Sequence, residues 1–79
     1  MEVKVLAFGI AKDIFGGREI VVPVGGATVE SLKAELEQRY PGLKELASYM
    51  IAVNDEYADG HVAIQATDEI AIIPPVSGG

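Results

Sequence analysis

The sequence predicts an α+β domain of two layers, one mixed sheet laid on one main helix with short extra helices beside it. Three observations predict it. Alternating, β-branched runs lie near both ends. One amphipathic three-turn segment with a clear start and stop lies between them. Turn residues separate the pieces, with no linker, repeat or charge block.

In order, Val3 to Phe8 alternates and reads as a strand, with Val3, Val5 and Ala7 on one face and Leu6 and Phe8 on the other. Ile10 to Phe15 is a short helix, anchored by Ile10, Ile14 and Phe15 and ended by Gly16-Gly17. Arg18 to Val24 is a second strand, and Pro23 places it near an edge or its end. Thr28 is a good N-cap, since its hydroxyl can accept from an orphan amide of the first turn. Val29, Leu32, Leu36 and Tyr40 then share one helix face. Lys33–Glu37 and Glu35–Arg39 form opposite-charge pairs one turn apart, and Pro41-Gly42 stops the helix. Leu43 to Tyr49 adds a helical turn. Met50 to Val53 is a strand, Asn54 to Glu56 a turn and Tyr57-Ala58 a short return strand. Residues 61–66 read as a loop with Val62 and Ile64 inward. Glu69 to Ile73 is the last strand, with Ile70 and Ile72 inward and Ala71 and Ile73 outward, and Pro74-Pro75 ends it.

Composition narrows the function. At 79 residues the chain is one domain with one small core. Apolar residues make 49% and charged residues 23%, which excludes a disordered chain. No apolar run approaches the ~20 residues of a membrane span, so no membrane partner is expected. Without cysteine there is no disulfide, thiolate zinc site or thiol nucleophile. The net charge of −6 disfavours nucleic acid and suits a basic protein partner. The start reads as a strand rather than a signal peptide, so a cytoplasmic place is expected.

The last residues carry the chemistry. An apolar strand runs into Pro74-Pro75, then Val76-Ser77-Gly78-Gly79. Two prolines hold a segment extended. Glycines let backbone pass through a narrow channel and approach a reacting group. The end is thus a stiff arm bearing an unhindered carboxylate, suited to activation inside another protein's active site. The alternative is an end of no chemical consequence. On this reading residues 1–75 are the domain and residues 76–79 its extended tail.

Asp68 to Gly79, with the terminal Pro-Pro-Val-Ser-Gly-Gly as its most specific part, resembles the end of the small, sulfur-carrying subunits of molybdopterin synthase. The opening Val3 to Gly9, the helix start Thr28 to Leu32, and Ala52-Val53-Asn54 match as well. The resemblance implies the ubiquitin-like β-grasp fold, in which first and last strands are neighbours. It implies that an adenylyltransferase of the ubiquitin-activating type uses ATP to adenylate the Gly79 carboxylate. A sulfur donor protein then replaces AMP to leave a thiocarboxylate, and Gly78-Gly79 enters the large synthase subunit, in a heterotetramer, to build a dithiolene. The chain itself binds no cofactor and no metal, and acts as a non-catalytic carrier subunit of a sulfurtransferase. Phe8, Lys12 and Ile73 occupy docking positions of the family, with Leu6, Phe8 and Ile73 as one apolar patch, and Pro74, Pro75, Val76 and Ser77 lead the arm into the partner. Lys12 stands where the family commonly shows arginine, which weakens a bidentate contact. Two other readings share this chemistry: a protein modifier joined to lysines through Gly79, and a carrier for thiamine or another sulfur metabolite.

The remaining features have plain readings. His61 has no ligand partner nearby in sequence, and Gly16-Gly17 and Gly25-Gly26 lack phosphate-loop spacing. Asp55, Glu56 and Asp59 are a wet rim, and three scattered tyrosines are no stacking platform.

Overall fold

A computed structural model describes residues 1–46 and 49–74. The strands are β1 (Glu2–Ala7), β2 (Glu19–Pro23), β3 (Met50–Val53), β4 (Glu56–Tyr57) and β5 (Glu69–Ile73). The helices are α1 (Ile10–Phe15) and α2 (Val29–Arg39), with a 3-10 helix over Pro41–Glu45. One sheet runs in the order β2-β1-β5-β3-β4. β1 pairs antiparallel with β2 and parallel with β5, and β3 pairs antiparallel with both β5 and β4.

The strand alternation decides what is buried. Val3, Val5 and Ala7 of β1 and Ile70 and Ile72 of β5 are buried, and they share the core with Leu32 and Leu36 of α2 and Leu43 of the 3-10 helix. Each such leucine, fully removed from water, contributes about 1.5–3 kcal/mol before entropy is counted. Phe15 meets Tyr40 edge to face at 4.8 Å, so α1 and the end of α2 close one margin of the core. Val24 N–H donates to Met1 O and Ala7 N–H to Arg18 O, extending the β1–β2 ladder to the predicted limits of the second strand.

Helix α2 begins where Thr28 allows. The Thr28 hydroxyl oxygen accepts from Ser31 N–H at 3.3 Å. The other first-turn amides find partners in the loop that follows β4. Val29 N–H donates to Val62 O at 2.9 Å and Glu30 N–H to Gly60 O at 2.7 Å. That bonding, with Ile64 buried, explains why residues 61–66 are an ordered loop with an inward face rather than a strand. At the hairpin between β3 and β4, Asn54 and Asp55 have φ of 53° and 70°, the left-handed pair that a two-residue turn requires. Asn54 Oδ1 accepts from Glu69 N–H, and Asn54 Nδ2 donates to Asp68 Oδ1, so the turn is clasped to the start of β5.

Several expectations shift. Ile10 is 52% exposed and anchors nothing; Ala11 and Phe15 are the buried residues of α1. The helical turn expected over Leu43 to Tyr49 starts earlier, as a 3-10 helix whose first residue is Pro41, a position that needs no N–H. Arg39 pairs with Glu35 at 2.6 Å as expected, but Lys33 does not pair with Glu37. Lys33 Nζ lies 5.3 Å over the Tyr49 ring, and Glu37 takes the Tyr49 hydroxyl instead. The return strand is Glu56–Tyr57, one residue earlier than expected.

Candidate functional site

β5 carries the chain out of the fold. It lies between β1 and β3, and its last residue, Ile73, stands opposite Met50. Pro74 follows and is half-buried. The neighbouring strand β1 ends one step earlier, where Ala7 is level with Ile72. Phe8 and Gly9 then turn the chain into α1, with Phe8 O accepting from Ala11 N–H and Gly9 O from Lys12 N–H, both at 3.1 Å. A Cβ on Gly9 would stand 3.2 Å from Pro74 Cγ, so the exit of the last strand rests against the β1–α1 junction. Pro75, Val76, Ser77, Gly78 and Gly79 lie outside the described residues, as does the expected boundary between domain and tail.

The sheet face turned away from α2 is apolar around this exit. Leu6, Ala71, Ala52 and Tyr57 form one row across four strands, set by the pairings Leu6–Ala71, Ala71–Ala52 and Ala52–Tyr57. Ile73 and Met50 form the next outward pair along β5 and β3, and Phe8 follows the last residue of β1. Phe8 is 50% exposed, Met50 50% and Tyr57 64%. Among the described residues no helix covers this side, and exposed apolar clusters of this kind mark contact surfaces. Ala7 and Ile72 are paired neighbours, and Phe8 and Ile73 are the residues that follow them in their own strands.

Lys12 sits at the margin of this face. With Leu6, Ala7, Phe8, Arg18 and Glu19 it lines an open depression of about 560 Å³. Among the described residues the ion pair is Arg39–Glu35, and neither Lys12 nor Arg18 is matched to a carboxylate. Glu19 lines the same depression, so two cations and a carboxylate stand together beside the apolar row, a polar rim to an apolar centre.

Sequence reading missed Met50, Tyr57 and Arg18. The signal for Met50 and Ala52 was present as alternation in β3, but it fixes neither face nor partner without the register. Tyr57 belongs to a two-residue strand too short to alternate. Arg18 lines the depression beside Ala7, whose N–H donates to the Arg18 carbonyl, a pairing that sequence spacing does not show.

Elsewhere, Tyr49 Oη donates to Glu37 Oε2 at 2.6 Å and ties the start of β3 to α2. Burial first, then the bond to Glu37 and its negative charge, push the Tyr49 hydroxyl well above the usual phenol range. His61 is exposed in its loop. Among the described residues no three His, Asp or Glu side chains gather as a metal site, and no helix is long and apolar enough to cross a membrane.

Strand order, the parallel β1–β5 pair and the single main helix define the class: a ubiquitin-like β-grasp domain whose last strand leaves beside an exposed apolar face. Residues 5–79 match the ThiS family, and the chain belongs to it. It is 37% identical over 81 residues to the molybdopterin synthase sulfur carrier subunit of Arabidopsis thaliana, covering 100% of this chain and 84% of that one. It is similar to a chain in the complex of subunits 1 and 2 of molybdopterin-converting factor from Helicobacter pylori, with TM-score 0.70, 32% identity and 100% of each chain covered. It is similar also to small archaeal modifier protein 1 from Methanosarcina acetivorans, with TM-score 0.81 and 29% identity, over 99% of this chain and 96% of that one. The family and fold that the terminal motif implied are thus borne out.

Proposed function

We propose that this chain is the sulfur carrier subunit of a molybdopterin synthase, working in the cytoplasm. The observation that carries the reading is the likeness to such subunits along the whole chain, with a family match that runs to residue 79. A free carboxylate is a poor electrophile. In the proposed cycle a Gly79 carboxylate oxygen attacks the α-phosphorus of ATP in an adenylyltransferase and displaces pyrophosphate. The outer sulfur of a donor-protein persulfide then attacks the acyl carbon and AMP leaves. A second thiol attacks the donor's sulfur in the resulting acyl disulfide, a disulfide forms on the donor side, and the thiocarboxylate is released on Gly79. That group is a soft, ionised nucleophile at neutral pH, and it delivers sulfur to a pyranopterin held by the large subunit. Charge stabilisation and proton transfer belong to the partners. The chain supplies the carrier atom and, at Phe8, Lys12, Ile73 and Pro74, a docking surface at the root of the arm.

The test is reconstitution of the purified chain with ATP, an activating enzyme and a sulfur donor, read by intact mass. An oxygen-to-sulfur replacement at Gly79 is expected. Deleting Gly79, or adding one residue after it, abolishes loading, because the reacting carboxylate moves by about 3.5 Å. Loading that survives either change refutes the reading. The likeness to small archaeal modifier protein 1 favours a second reading, conjugation through Gly79 to lysines. A ladder of isopeptide-linked products in cell extracts would establish that activity.

A further inference from the structure

We infer that Gly9 is a positioning residue: it holds Pro74 in place and so aims the C-terminal arm. The inference rests on the carrier reading above and deepens it. Three observations lead to it. Gly9 has φ 56° and ψ −133°, the mirror image of polyproline II, a conformation that L side chains rarely adopt. Gly9 is exposed, so core packing does not explain its small size. Among the described residues, the one atom that a Cβ there would meet within 4 Å is Pro74 Cγ, at 3.2 Å.

Its position carries a cost that the helix alone would avoid. Gly9 is the N-cap of α1 and offers no side-chain bond to the first turn, where serine, threonine, aspartate or asparagine would. Glycine also loses the most backbone freedom on folding. What glycine allows is close approach. Pro74 has no N–H to join the ladder, so packing rather than hydrogen bonding must seat it. The seat is the bare Cα of Gly9, at the junction where Phe8 also emerges. One residue therefore fixes Pro74, from which the terminal segment departs, at the junction of β1 and α1.

The experiment compares full-length chains made by chemical synthesis: wild type, Gly9→Ala, and D-alanine at position 9. D-alanine prefers this mirror-image backbone and places its methyl at the other Cα hydrogen. Steady-state loading by the activating enzyme is measured with the melting temperature. For Gly9→Ala, kcat is expected to fall about tenfold with KM within about twofold, short of the ~100-fold that a 1 Å misplacement can cost. The D-alanine chain is expected to load like wild type. A folded Gly9→Ala chain that loads normally, or a D-alanine chain as slow as Gly9→Ala, overturns the inference. If Gly9→Ala does not fold, Pro74→Ala serves: it leaves Gly9 intact and is expected to lower kcat in the same way, and unchanged loading overturns the inference. A nuclear Overhauser contact between Gly9 Hα and Pro74 Hγ is expected in wild type whether or not it loads, and its absence also overturns it. Failure of wild type to load, with that contact present, condemns the carrier reading and leaves the seat of Pro74 standing.

Discussion

The bond from Tyr49 to Glu37 replaces the helix-surface pair that sequence spacing predicted for Glu37. Sequence separation of 12 hides it, because one partner is on a helix and the other enters a strand. Its pH consequence follows from the direction of the shift. The folded state keeps the Tyr49 proton more tightly than the unfolded chain, whose phenol titrates near 10. The contribution is whole below that pH and is lost as pH rises above it. Tyr49→Phe is expected to cost about 1 kcal/mol at neutral pH, as Glu37 loses a donor, and to flatten the fall in stability above pH ~10. Urea titrations of both chains at neutral and alkaline pH measure this. Glycines divide in the same way. Gly16, at φ 80°, was legible as a helix stop because a Gly-Gly pair follows an apolar run. Gly9 was not, because its role depends on a proline 65 positions away, brought near by strand pairing.

Among the elements, β1 and β5 were read correctly face by face, since Val3 and Val5, and Ile70 and Ile72, recur at every second position and are buried. The phase of α1 was not. Six residues make fewer than two turns, and the buried Ala11 gives no hydrophobic signal to compete with Ile10. The open sheet face was half legible: Leu6, Phe8 and Ile73 from alternation, Met50 and Tyr57 only from register. This face yields a prediction for the element as a unit. On the proposed carrier reading, Phe8→Ala is expected to weaken binding to a synthase large subunit by about 30-fold, an effect of hot-spot size, while melting moves little because half of Phe8 already meets water. Calorimetry on the binary complex checks it. Equal affinity would place the partner on another face.

At the scale of the molecule, charge and topology act together. A net charge of −6 does not choose a fold, but it speeds encounter with basic partners. The association rate with such a partner is expected to fall about tenfold between low salt and ~0.5 M, with dissociation nearly unchanged. Stopped-flow mixing across that range measures it. The strand order carries a consequence for biosynthesis. A ribosome that has delivered β1 to β4 has produced two hairpins with no ladder between them, because β5 is the strand that joins β1 to β3. Both halves wait for residues 69–73, and non-local closure of this kind is slow. Synthesis thus times its own inspection: the two halves become one sheet only when the strand that leads into the terminal segment has emerged, so an unfinished nascent chain lacks the sheet face that β1, β5 and β3 build together.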